Sequence, residues 1–231
     1  MHVFFQSESL TAKATHKLTF RSSSIMAYVK FFLDTNVLLA LSGLNGSDLQ
    51  VFKDRIEASD SELNTTHIQV DEITKHIKFH EPVKKKHEKK VQSYQQKIDE
   101  ALKTLRSKGI NVRIEATKIP VQGIARAGHV KTASKEVRKF YNELRKEIDG
   151  CEKAKGKIKP LLNVACDATI AVSSLNHDFF VTSDKCLSES WLKVIGKYEI
   201  LRQQFKIPKI IYTKRYPKEV AKRILEDLES K

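Results

Sequence analysis

The stretch YVKFFLDTNVLLAL, Tyr28 to Leu41, runs through apolar residues, meets one carboxylate at Asp34, and turns apolar again. Tyr28–Leu33 has the near-continuous apolar character of a strand covered on both faces of a parallel sheet, and Val37–Leu41 starts a helix. A carboxylate at the tip of a buried strand needs a reason, because an ionised acid is costly to bury without a partner.

Working outward, Ser47 to about Ala58 reads as an amphipathic helix with Leu49, Phe52 and Ile56 at helical spacing, and Glu62–Thr65 as a short second strand. Thr66 with Gln69 has the form of a capping box opening the helix HIQVDEITKHIKFH. KKKHEKKVQSYQQKIDEALKTLRSK then reads as a long, exposed, charged helix ending at Gly109, and Ile110, Val112 and Ile114 alternate as a strand or extended connector. KIPVQGIARAGHVK reads as a loop. Val137, Phe140, Tyr141, Leu144 and Ile148 form one helical stripe, and Gly150 to Gly156 is expected to be a linker. LLNVACDATIAVSSL is a helix of small residues, followed by a turn at Asn176–Asp178 and a buried strand, FFVT. KIIYT and PKEVAKRILEDL close the chain as strand and helix, with Pro217 in the first turn. Strands alternate with helices, so the expected class is α/β with a parallel sheet, interrupted by a basic helical insertion at about 81–159.

The 231 residues are 40% apolar and 8% aromatic, enough for a core and unlike a disordered chain. No apolar run approaches the ~20 residues of a membrane span, so a soluble protein is expected. Residues 1–25 lack periodicity and the apolar core of a secretory signal; they read as an extension separate from a single domain over 26–231, with Met26 an alternative start. Cys151, Cys166 and Cys186 show no CxxC spacing, which argues for reduced thiols in a cytoplasmic protein. The net charge is +14, and Glu81–Pro160 alone holds 22 basic against 10 acidic residues. So uneven a charge points to a polyanion partner, most often nucleic acid, although a solvated helix face would look similar.

Four carboxylates stand out. Asp34 and Asp184 each follow a buried strand, and ligand sites of open parallel sheets lie beyond the carboxyl ends of the strands. Either alone could simply cap a helix. Asp167, in VACDATIA, lies on a helix of small apolar residues with no Lys or Arg at i±3 or i±4, so its neutralising charge must come from elsewhere, a metal ion being the natural candidate. In QVDEITKH, Asp71 falls on the charged side of the helix beside Lys75 and Lys78. Glu72 falls on a mixed side with Ile68, His76 and Phe79, and suits an enclosed site better. A cluster of such acids persists when a divalent cation neutralises it or when some members stay protonated, and all-oxygen ligation suits Mg²⁺ or Mn²⁺.

Taken in order, FFLDTNVLLAL, the acid of VDEI, DATIA and FFVTSDK resemble the motifs of PIN-domain nucleases over roughly Tyr28–His80 and Pro160–Tyr212. The resemblance implies a three-layer α/β fold around a mainly parallel sheet and a ribonuclease using Mg²⁺ or Mn²⁺. Its catalytic, metal-holding quartet would be Asp34, Glu72, Asp167 and Asp184, supported by Asn36, Thr182, Ser183 and His76. It also allows an antitoxin or other protein regulator and a homodimer. The segment between Glu72 and Asp167 is longer than in the compact toxin members and carries the positive charge. Lys84, Lys85, Lys86, Lys89 and Lys90, with Arg126 and Lys131, could track phosphates beside the acids in a salt-dependent, sequence-blind way.

Other readings stay open. Glu72, His76 and His80 at i, i+4 and i+8 permit zinc, but there is no HExxH. GxxxxGK[ST] and GxGxxG are absent. A DNA or flap nuclease would use the same acids, and a non-catalytic PIN-like module would bind RNA or protein; an intact quartet disfavours the module.

Overall fold

A computed structural model of the chain describes residues 28–66, 96–115 and 134–230. Five strands form one parallel sheet: β1 (Lys30–Leu33), β2 (Glu62–Thr66), β3 (Val112–Glu115), β4 (Phe179–Thr182) and β5 (Lys209–Tyr212), in the order β3-β2-β1-β4-β5. Every neighbouring pair is parallel; Phe32 stands opposite Asn64 on one side and Phe180 on the other. β1 and β4 are the most apolar strands, and β1, β2 and β4 are buried almost throughout. The edge strands carry Arg113 and Lys209 and are more exposed, which discourages pairing with another chain.

Helices cover both faces. Because side chains alternate along a strand, Phe31 and Leu33 point one way and Phe32 the other. Phe31 and Leu33 pack with Phe179 and Val181 under α1 (Thr35–Ser42), α2 (Gly46–Ala58), a helical segment α3 (96–107) and α8 (Pro217–Glu229). On the other face Phe32 and Phe180 pack under α4 (Lys135–Ala154), α5 (Leu161–Ser173), α6 (Lys185–Ile195) and α7 (Glu199–Gln204). Phe140 meets Trp191 edge-on, with ring centroids 5.3 Å apart. The α/β reading with a buried parallel sheet therefore holds, and its architecture is compatible with a PIN-like fold.

Several local expectations change. The charged helix before Gly109 is not wholly exposed: Ile98, Ala101 and Leu105 of α3 are core residues. The stretch read as a basic insertion thus contributes α3, β3 and α4 to the sheet and its cores. Gly150–Ala154 is not linker but the last turn of α4, because the stripe from Val137 to Ile148 anchors the helix; the left-handed backbone comes only at Gly156, φ +69°. Thr66 ends β2, where its hydroxyl donates to the Glu115 carbonyl at 3.0 Å; Gln69 and the helix it was expected to open lie outside the described residues. Cys151 and Cys186 are joined in a disulfide between α4 and α6, with Cα atoms 5.7 Å apart, against the expectation of reduced thiols. Spacing in sequence carries no information about two helices that meet only in the folded core. No described helix is long and apolar enough to cross a membrane.

Candidate active site at the sheet switch point

The chain leaves β1 for β2 and β3 in one direction, then returns to place β4 on the other side of β1. In open parallel sheets such a reversal is where ligands bind, beyond the carboxyl ends of the two strands, here β1 and β4. Asp34 and Asp184 lie there. Both occupy the N-cap position of a helix, but they use it differently. Asp184 Oδ1 accepts a hydrogen bond from the Leu187 amide at 3.0 Å, so it caps α6. Asp34 makes no side-chain cap bond to α1. Its Oδ2 instead accepts from the Thr182 hydroxyl at 2.9 Å. The same hydroxyl oxygen accepts from the Asp184 amide at 3.1 Å, so one threonine orients both acids.

Asp167 comes to the site on α5. Its charge partner is Lys159, just before the helix, whose Nζ lies 2.6 Å from Asp167 Oδ2, off hydrogen-bond direction. The same ammonium contacts Asp184 Oδ2 at 2.7 Å and Glu152 Oε1 at 3.4 Å. A lysine from the loop between α4 and α5 thus occupies the place among acids where a metal was the natural candidate. No helix-spacing rule covers an i, i+8 pair across a helix start, so nothing in the sequence marked Lys159. Glu152 was missed for a like reason: it belongs to α4 and reaches the site only through the α4–α5 turn.

Burial dominates the acid–base character of the group. Asp34 is 2% exposed, and burial raises its pKa; the Thr182 bond opposes this, while Asp184 adds to it. Burial pushes the Asp167 carboxyl up to about 7, against the pull of Lys159 and with a further push from Asp34 and Asp184. For Asp184 burial also acts upward, but Lys159 and the Leu187 and Cys186 amides outweigh it and hold its pKa below the usual carboxylate range. Lys159, despite its own burial, is held above its ordinary value by Asp167 and Asp184. Cys166, beside Asp167, is pushed up to about 12 mainly by burial, so it stays an unreactive thiol at neutral pH.

Of the supporting residues, Thr182 has the role just described. The buried Ser183 hydroxyl accepts from Arg215 Nε at 3.2 Å, and Arg215, exposed beyond β5, also acts electrostatically on Asp34. Arg215 was not anticipated. Asn36 lies half-buried in the first turn of α1, and among the described residues no hydrogen bond joins it to the acids. Glu72, His76, His80, His87, Lys84, Lys85, Lys86, Lys89, Lys90, Arg126 and Lys131 lie outside the described residues.

The three acids offer the oxygen donors that a hard divalent cation takes, although as placed they do not all lie close enough together to share one ion. Asp34, Asp167 and Asp184 offer oxygen only, a cation already bridges two of them, and among the described residues the buried Asp167 Oδ2 meets only that ammonium.

No protein-family model and no curated protein sequence matches the chain. Among solved structures it is similar to VapBC2 from Rickettsia felis, a structure bound to a DNA fragment from its promoter. The two are 16% identical over 79% of this chain and 98% of that one, with a TM-score of 0.32. So loose an overlap leaves the weight on the site itself.

Proposed function

We propose that the chain is a metal-dependent ribonuclease of the PIN type, hydrolysing RNA phosphodiester bonds at a site built from Asp34, Asp167 and Asp184, with Glu72 completing the quartet. The observation that carries this reading is the convergence of three acids from separate elements at the switch point, Asp34 and Asp184 joined through one threonine and Asp167 and Asp184 bridged by one ammonium. Mg²⁺ or Mn²⁺ held there would supply Lewis acidity and a bound water of lowered pKa. The protein's own contribution is arrangement and charge. Thr182 fixes the rotamer of Asp34, and capping of α6 leaves Oδ2 as the Asp184 atom facing the cation. Asp167, titrating near neutrality, holds or releases a proton at its carboxylate as positive charge leaves or enters. Arg215 presents an exposed guanidinium beside Ser183, suited to a phosphate oxygen.

In this reading residues 26–231 form one PIN-like domain, 1–25 are an extension, and the protein is cytoplasmic. Lys84, Lys85, Lys86, Lys89, Lys90, Arg126 and Lys131 contact RNA phosphates; Asn36 and His76 steady the acids. A protein regulator of antitoxin type and a second copy of the chain are the proposed partners.

The test is cleavage of labelled single-stranded RNA and matched DNA in Mg²⁺, Mn²⁺ or EDTA, with Asp34→Asn alongside. Metal-dependent RNA cutting lost in Asp34→Asn is expected. DNA cutting alone would transfer the chemistry to a DNA nuclease; salt-sensitive binding without cutting would leave a binding module and sink the proposal.

A further inference from the structure

The Cys151–Cys186 disulfide bonds the two sides of the acid cluster together. Cys151 lies in the last turn of α4, next to Glu152, whose carboxylate contacts Lys159. Cys186 lies in the first turn of α6, two residues after Asp184, whose Oδ2 contacts the same ammonium. Between Cys151 and Lys159 the chain leaves α4, passes Gly156 and runs through an exposed loop, with Ile158 94% exposed. Where α4 meets α6 the disulfide and the Lys155–Glu189 ion pair, 3.0 Å, hold one end of this segment, and the ion contacts of Lys159 hold the other. Helix ends fray readily, and a covalent bond between the last turn of one helix and the first turn of another removes that freedom.

We propose that Cys151 and Cys186 form a thiol–disulfide latch: oxidised, it holds Lys159 among Asp167, Asp184 and Glu152 and keeps a divalent cation out; reduced, it frees the α4–α5 loop and admits the cation. The latch concerns regulation of the site and rests on the metal-dependent reading given above. Its chemistry is ordinary exchange. A small-molecule thiolate attacks the sulfur of Cys151, the less buried of the two, and the S–S bond breaks with Cys186 leaving as thiolate beside the Lys155 ammonium, 3.2 Å away. A second thiol displaces the first from the mixed disulfide, giving two protein thiols and one small-molecule disulfide. Oxidation runs the same steps backwards with a small-molecule disulfide as oxidant. In a reducing compartment a disulfide placed like this is switched rather than permanent.

The experiment compares full-length protein equilibrated with oxidised glutathione and with dithiothreitol removed before measurement. Intact mass after iodoacetamide labelling counts free thiols, and calorimetric titration with Mn²⁺ reads cation affinity without reference to cleavage. The expected result is one labelled thiol, Cys166, in denatured oxidised protein and three in reduced protein, with Mn²⁺ bound at least tenfold more tightly by the reduced form. Cys151→Ser should bind Mn²⁺ like the reduced form under both conditions, and Lys159→Met should remove the difference between forms. Three labelled thiols after oxidation would overturn the latch. So would equal Mn²⁺ affinity in both forms, absence of Mn²⁺ binding in either, or capture of Zn²⁺ by the reduced pair with Glu189, which shares its corner of the fold, in place of disulfide formation. A redox-dependent Mn²⁺ affinity without nucleic-acid cleavage would retain the latch and remove the nuclease reading.

Discussion

Replacing Asp167 by Asn should remove cleavage and at the same time stabilise the metal-free protein at alkaline pH. The Asp167 carboxyl titrates at about 7 in the folded chain against an ordinary value of 3.8. It therefore binds its proton more tightly folded than unfolded. A group raised in this direction favours folding at low pH, and stability falls as the pH rises from about 4 to about 7. The difference of roughly 3 pKa units corresponds to a ceiling of about 4 kcal/mol above pH 7, with the attraction of Lys159 already included. Asn is nearly isosteric and never ionises, so the variant escapes this net cost, in which the lost ion pair with Lys159 is already counted. The stability difference between variant and wild type should be near zero at pH 4 and grow to about 2–4 kcal/mol by pH 8. Urea unfolding in EDTA at pH 4, 6 and 8 measures it. Added Mn²⁺ should narrow the gap, since a ligand bound only by the folded wild type stabilises it by mass action. A variant less stable than wild type at pH 8, or a difference that does not change with pH, would show that Lys159 more than compensates for burial.

Two further perturbations separate the parts of the site. Lys159→Met leaves Glu152, Asp167 and Asp184 without their shared cation and should destabilise the metal-free protein by about 3 kcal/mol in urea, partly recovered by Mn²⁺; full stability in EDTA would mean the acids simply take up protons. Thr182→Val keeps the shape but takes the hydroxyl from Asp34 Oδ2 and from the Asp184 amide, so a loss of about 1–3 kcal/mol and reduced cleavage with unchanged RNA binding are expected. Unchanged cleavage would remove Thr182 from the positioning of the acids.

The sequence by itself determined the class of fold and where two of the acids would lie. Phe31, Phe32 and Leu33, and then FFVT, are apolar on both alternating faces, which only a sheet covered by helices on each side can satisfy; Asp34 and Asp184 follow at once, fixed by covalent neighbourhood to the ends of those strands. The isolation of Asp167 on an apolar helix was equally plain. Its partner was not. Lys159, Glu152, Arg215 and the pairing of Cys151 with Cys186 depend on contacts between segments that no periodicity relates, and such contacts exist only once packing fixes how α4, α5 and α6 approach one another. Tertiary structure also decided which acid caps and which does not. Asp34 and Asp184 look alike in sequence, each ending a strand before a helix, yet the Thr182 hydroxyl turns Asp34 into the site while Asp184 divides its two oxygens between α6 and Lys159. Local pattern specifies an element because its own residues carry the whole cost of misplacing it. A charge cluster is shared among distant segments, so only the assembled fold settles who pairs with whom.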